Sequence, residues 1–104
     1  MEDISTIEFL ELLKAENHKA ILLDVREEIE FHTHNVGGTN LPLGKLHSAI
    51  ADDELDFSKN DTIIVICQRG IRSKTAKSVL EQNGYKNVRN LLGGLLNIRK
   101  VSTS

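Results

Sequence analysis

The segment that most restricts what this chain can fold into is Thr62-Ile63-Ile64-Val65-Ile66-Cys67. It is apolar and β-branched almost throughout, with no alternation of polar and apolar positions. A strand of that kind must be buried on both faces, as in a parallel sheet covered by helices on either side. Parallel strands need long crossovers, usually helical, and the rest of the chain supplies them. Ser5 followed by Glu8 has the form of a capping box, opening a helix over residues 6–16 with Ile7, Leu10 and Leu13 on one face. Residues 20–25 read as a buried strand, 27–33 as a helix, and 39–41 as a short strand bracketed by Gly37-Gly38 and Pro42. A helical turn or two follows near 44–50, then the acidic loop Asp52-Asp53-Glu54. Residues 72–83 form an amphipathic helix with Ala76, Val79 and Leu80 inward, stopped by Asn83-Gly84. A strand at 88–92, the pair Gly93-Gly94 and a last helical segment complete the pattern. Strands alternating with helices at this spacing predict an α/β fold with a mostly parallel sheet.

The chain of 104 residues is expected to form one domain. No apolar run approaches the ~20 residues of a membrane span, and the acidic start Met1-Glu2-Asp3-Ile4 lacks the form of a secretory signal. The expected location is cytoplasmic, with no membrane partner. The single cysteine excludes an internal disulfide framework and a multi-cysteine zinc site. Charge is unevenly spread. Residues 1–66 carry 14 acids and 5 bases, whereas residues 67–104 carry 1 acid and 8 bases. The basic part begins at the cysteine, which suggests an anionic ligand or an acidic partner there.

Cys67 stands where the buried strand ends and a short loop enters a helix. Ligands bind at such carboxyl ends of parallel strands. Gly70 gives the loop Cys67-Gln68-Arg69-Gly70-Ile71-Arg72 freedom to curl around its first residue. Its amides can then form an inward-facing nest, aided by the positive end of the helix that follows and by the charge of Arg72. Each of these favours thiolate over thiol, and surroundings of this type bring a cysteine from ~8.5 to about 3.5–7.5. The alternative is an inert cysteine buried at a strand end. Asp24 and Arg26 lie near the site, either supporting it from behind or forming a structural ion pair such as Arg26 with Glu30. Arg69 either meets a ligand or points to water. His32 and His34 are not spaced as a zinc motif, so no metal is expected. No histidine lies beside the loop, which disfavours a cysteine–histidine hydrolase. Phosphate-loop and nucleic-acid motifs are absent, and no cofactor is expected.

The run Cys67-Gln68-Arg69-Gly70-Ile71-Arg72-Ser73 resembles the Cys-x-x-Gly-x-Arg-Ser active-site loop of small rhodaneses. Three further stretches resemble that family in order and spacing: Leu22-Leu23-Asp24-Val25-Arg26-Glu27 with Glu30-Phe31; His34, Gly37, Asn40 and Pro42; and Asn87-Val88, Leu91 and Gly93-Gly94. The resemblance implies a rhodanese-like fold, a five-stranded mostly parallel sheet with helices on both faces. It implies sulfur transfer from a small anionic donor such as thiosulfate to a thiophilic acceptor through a cysteine persulfide. Cys67 would be the nucleophile, the loop amides from Gln68 through Arg69, Gly70 and Ile71 to Arg72 would cradle the sulfur, and Arg72 would help bind the donor anion. A tryptophan usual beyond the paired glycines is replaced by Asn97-Ile98, so the last helix should be shorter or packed differently.

Two other readings compete. Pro42-Leu43-Gly44-Lys45-Leu46 and the loop are similar to rhodanese-like domains attached to adenylating enzymes of molybdopterin and thiamine synthesis. That implies a relay passing sulfur to an acceptor protein or sulfur carrier. A non-catalytic binding module is the other reading. Phosphatases of related fold use Cys-x5-Arg, one residue longer than Cys67-x4-Arg72, and the tighter ring here suits one sulfur atom better than a phosphate.

Overall fold

A computed structural model describes residues 1–102. In chain order the elements are α1 (Thr6–Lys14), β1 (Ile21–Asp24), α2 (Glu28–Thr33), β2 (Thr39–Asn40), α3 (Leu43–Ala51), β3 (Thr62–Ile66), α4 (Ile71–Gln82), β4 (Asn87–Asn90) and α5 (Gly94–Ser102). The sheet order is β2-β1-β3-β4, and every pairing is parallel. β3 lies in the middle, with Ile63 opposite Ile21 on one side and Val88 on the other.

The central position explains the unbroken apolar character of β3. Ile63 and Val65, with Cys67 just beyond, face a core built with Leu46 of α3 and Ala76 and Leu80 of α4. Ile64 and Ile66 face the opposite core, built with Phe9 of α1 and Leu95 of α5. Ile63, Ile64, Val65 and Ile66 are all fully buried. Helices therefore cover both faces, and the expected inward residues of α4 are buried.

The expected fifth strand is absent, because the sheet among the described residues has four strands. A single parallel bridge, Ile4 to Leu91, stands on the outer side of β4. The Ile4 amide donates to the Asn90 carbonyl at 3.0 Å, and the Leu92 amide donates to the Ile4 carbonyl at 3.0 Å. Pairing stops there because the next residue is a helix cap: the Ser5 hydroxyl accepts from the Glu8 amide at 3.1 Å and turns the chain into α1. The buried face of α1 also differs from the expected one. Ile7 is 59% exposed, whereas Thr6 and Phe9 are buried. Leu13 of the expected face does pack against this core and Leu10 is half-buried, so the buried stripe is shifted toward Phe9 and only Ile7 is left outside it.

The turn after β1 is tied by a buried ion pair. Asp24 is inaccessible and Arg26 nearly so. Arg26 Nη2 donates to Asp24 Oδ2 at 2.9 Å, Nε donates to Oδ1 at 3.1 Å, and the Arg26 amide donates to Oδ1 at 3.0 Å. Nη2 also donates to the His34 carbonyl at 2.7 Å, which fixes the end of α2 against this turn. Asn40 Nδ2 donates to the Asp24 and Arg26 carbonyls at 3.1 and 2.9 Å, which anchors β2. Arg26 thus pairs with Asp24, and not with Glu30 as a local i,i+4 pair would have it.

Breaking a buried charge pair leaves its partner uncompensated, at a cost of about 3–5 kcal/mol. Asp24→Asn is therefore expected to lower the urea midpoint far more than Ser5→Ala, which removes one cap for about 1 kcal/mol. Equal losses in equilibrium unfolding would show that the pair does not hold the turn.

Candidate active site

Cys67 follows the last residue of β3, and Gly70 caps α4 with φ +87°, a left-handed conformation that glycine adopts without strain. The intervening curl brings donors to the sulfur. The Gly70 amide donates to Cys67 Sγ at 3.0 Å and the Ser73 amide donates at 3.3 Å, while Ser73 Oγ lies 3.2 Å from Sγ. The amides can face inward because the loop carbonyls are taken from outside. The Leu95 amide donates to the Cys67 carbonyl at 3.0 Å and the Leu96 amide to the Gln68 carbonyl at 2.9 Å. Asn90 Nδ2 donates to the Gly70 carbonyl at 3.2 Å. The start of α5 approaches so closely that a Cβ on Gly94 would lie 2.5 Å from both the Cys67 and Gln68 oxygens.

Burial pushes the Cys67 thiol up, but the Ser73 hydroxyl and the amides of Ser73, Arg69 and Gly70 together pull it below its ordinary value. The hydroxyl and the amides act differently. Ser73 has one hydroxyl proton and two acceptors, Cys67 Sγ and Asn90 Oδ1. The Asn90 carboxamide is oriented by its bond to the Gly70 carbonyl, so Oδ1 faces Ser73 as an acceptor. With a thiol, the sulfur can donate to Ser73 and Ser73 to Asn90. With a thiolate, the hydroxyl must turn toward sulfur and leave Asn90. The amides of Gly70 and Ser73 have no such choice, and they stabilise the anion in either arrangement.

Arg72 is held away from a free role. Its Nη1 donates to Glu30 Oε1 at 2.6 Å and its Nη2 to Oε2 at 2.9 Å, a bidentate bridge from α4 to α2. The Glu27 amide also donates to Glu30 Oε1 at 3.2 Å. The Arg72 guanidinium holds the Glu30 carboxyl at about 2, so this carboxylate is ionised across the whole working range. In return, Glu30 raises Arg72 above its ordinary value.

Two hollows open beside the loop. One, of about 310 Å³, is lined by Cys67, Gln68, Arg69, Ile71 and Arg72. The second, of about 350 Å³, lies on the α2 side and includes Arg26, Ile29, Glu30, His34, Gln68 and Arg99. Gln68 borders both, and the Glu30–Arg72 bridge joins a wall of one to a wall of the other. Arg69 and Ile71 are exposed at the mouth. Asp24 and Arg26 are buried behind it.

Three residues of this arrangement were given no role at the site from sequence. Ser73 had a signal, since it stands in the first turn of the helix directly after the loop. Asn90 had none, because its strand, Asn87-Val88-Arg89-Asn90, is polar at three of its four positions. Glu30 had none as a partner for Arg72, because 42 residues separate them.

Residues 5–100 match the family described as rhodanese-like domain. Thiosulfate sulfurtransferase PspE of Escherichia coli is 39% identical over 77 residues, covering 73% of this chain and 71% of that protein. The adenylyltransferase and sulfurtransferase UBA4 of Lodderomyces elongisporus is 31% identical over 99 residues, covering 88% of this chain. Several relatives are longer: the chain spans 22% of UBA4 and 61% of a mitochondrial relative from Schizosaccharomyces pombe that is 37% identical over 86 residues. Among solved structures, the human single-domain sulfurtransferase TSTD1 superposes with a TM-score of 0.80 at 26% identity, covering 98% of this chain and 97% of that one. The parallel sheet with helices on both faces, the cysteine at the end of its central strand and the match over residues 5–100 together place this chain in the rhodanese-like domain family.

Proposed function

We propose that this chain is a sulfurtransferase that carries a sulfane sulfur on Cys67, taken from a small anionic donor such as thiosulfate and passed to a thiophilic acceptor. The observation that carries this reading is the convergence of the Gly70 and Ser73 amides on Cys67 Sγ. In the first half-reaction the thiolate attacks the outer sulfur of thiosulfate. The S–S bond of the donor breaks, and sulfite leaves with the bonding pair. The product is a Cys67 persulfide whose terminal sulfur is anionic. The inward-facing amides that favour the thiolate favour an anionic persulfide as well, as a preorganised anion site does. In the second half-reaction a nucleophilic acceptor attacks the outer sulfur, and Cys67 departs as the thiolate. Gln68, Arg69, Ile71 and Arg72 line the hollow through which donor and acceptor approach.

A relay role, in which the acceptor is a sulfur-carrier protein or a cofactor-synthesis partner, is the second reading. It is favoured by the likeness to UBA4, whose name joins an adenylyltransferase to a sulfurtransferase. The donors aimed at Cys67 weigh against a purely non-catalytic binding module. Among the described residues no helix is long and apolar enough to cross a membrane.

Intact-protein mass spectrometry after exposure to thiosulfate should show a gain of ~32 Da, one sulfur atom, that is absent in Cys67→Ala. A folded wild-type protein that never gains this mass would remove the transfer reading. The rate of Cys67 alkylation against pH should have its midpoint below the ~8.5 of a free cysteine. Ser73→Ala should move that midpoint upward and cost about 1–3 kcal/mol, because Asn90 Oδ1 is left without its donor. A midpoint unmoved by that substitution would assign the whole effect to the backbone amides.

A further inference from the structure

Two acceptors compete for one proton behind the sulfur. Ser73 Oγ lies 3.2 Å from Cys67 Sγ and 2.5 Å from Asn90 Oδ1, and its hydroxyl serves only one of them at a time. The Asn90 carboxamide does not yield by turning over. Its Nδ2 donates to the Gly70 carbonyl at 3.2 Å, and the reverse orientation would set Oδ1 against that carbonyl. Its backbone is held as firmly. The Asn90 amide donates to Asp3 Oδ1 at 3.0 Å, Lys77 Nζ donates to the same oxygen at 2.6 Å, and the Ile4 amide donates to the Asn90 carbonyl at 3.0 Å. Ser73 and Asn90 are both buried, so a hydrogen bond taken from Oδ1 is not replaced by bulk water.

The two half-reactions place different demands on that proton. A Cys67 thiolate carries its charge on Sγ and draws the hydroxyl toward itself, which strips Oδ1 of its donor. A Cys67 persulfide carries its charge on the outer sulfur, and the hydroxyl returns to Asn90. Asn90 thus opposes charge on Sγ and leaves charge one atom further out unopposed.

Resting on the sulfurtransferase reading, we propose that Asn90 is a positioning residue that competes with Cys67 Sγ for the Ser73 proton, which makes the thiolate a stronger nucleophile and slows its departure from the persulfide. In persulfide formation Sγ attacks the outer sulfur of thiosulfate, sulfite leaves with the bonding pair, and the Ser73 hydroxyl falls back to Oδ1 as Sγ loses its charge. In discharge an acceptor nucleophile bonds to the outer sulfur, the S–S bond gives its pair to Sγ, and the hydroxyl must leave Oδ1 to meet it. The charged groups on this side are Arg69 of the loop and Arg72 of α4, which is paired with Glu30 of α2 and lies near Glu27. Beyond Gln68 stand Arg26 with its partner Asp24, His34 and Arg99. The substitutions below leave all of these in place, so their influence cancels between variants.

Asn90→Ala removes the competing acceptor. The midpoint of Cys67 alkylation should fall by about one pH unit, the scale of one hydrogen bond. Above the midpoint, persulfide formation from thiosulfate should slow about threefold, given a nucleophilicity slope of about 0.4–0.5 per unit. Discharge of the persulfide to cyanide, read as thiocyanate, should become faster, because a less basic thiolate leaves more readily. A loop that had merely loosened would slow both steps, and that result, or a midpoint that stays or rises, would overturn the proposal. In a Ser73→Ala background the fall in midpoint and the faster discharge should vanish, because no proton is left to share; their persistence would also overturn it. The wild-type protein gives a measurement that does not depend on how the variants fold. The NMR signal of the Asn90 carboxamide should titrate with Cys67 and return toward its thiol position once Cys67 carries a sulfur, and a signal that responds to neither would sink the competition. Failure of the wild-type protein to take a sulfur atom from thiosulfate would instead remove the transfer reading, while the midpoints and the carboxamide signal still report on Asn90.

Discussion

The site depends on where the loop after β3 sends its carbonyl groups. A curl of backbone around a sulfur atom is an anion site only if the amides face in, and that requires the oxygens to be satisfied elsewhere. Here the first amides of α5 take the carbonyls of Cys67 and Gln68, and Asn90 takes that of Gly70. These bonds come from elements that follow the loop in the chain by about 20 residues or more, so the loop cannot hold its shape without them. The close approach also explains a glycine at position 94, where any side chain would strike the oxygens being bound. Electrostatics at Cys67 is therefore a consequence of packing between β4, α5 and the loop.

A second constraint acts across the mouth. The Glu30–Arg72 bridge joins the helix after β1 to the helix after β3 and settles the charge that a ligand encounters. Its pairing with Glu30 makes Arg72 part of the wall at the mouth. Behind that wall the Asp24–Arg26 pair holds α2 in place through the His34 carbonyl, so a buried pair positions a half-buried one.

Much of the architecture was legible from local signals. The apolar run ending at Cys67 required a strand buried on both faces, and Gly70 marked the turn into α4. Short-range cues also located the helix after the loop, whose inward residues Ala76, Val79 and Leu80 are buried. Errors arose where a local cue competed with packing. The Ser5 cap ended strand pairing after Ile4, which left four strands where five were expected. Of the pattern Ile7, Leu10, Leu13 only Ile7 is left outside, because Phe9 has more surface to bury and draws the buried stripe of α1 toward itself. Arg26 with Glu30 is a sound i,i+4 pair, but Asp24 offered a buried bidentate partner.

The sequence by itself determined the alternation of strand and helix, the burial of the Thr62–Ile66 strand on both faces and the position of the lone thiol at its end, because burial period and turn chemistry act over a few neighbouring residues. Only the tertiary structure decided which groups meet that thiol and which charge remains at its entrance. Ser73 with Asn90, Arg72 with Glu30, and the loop carbonyls with α5 are pairs separated by 17 to 42 residues. Such pairings are chosen by how the helices pack on the sheet, and no spacing along the chain encodes them.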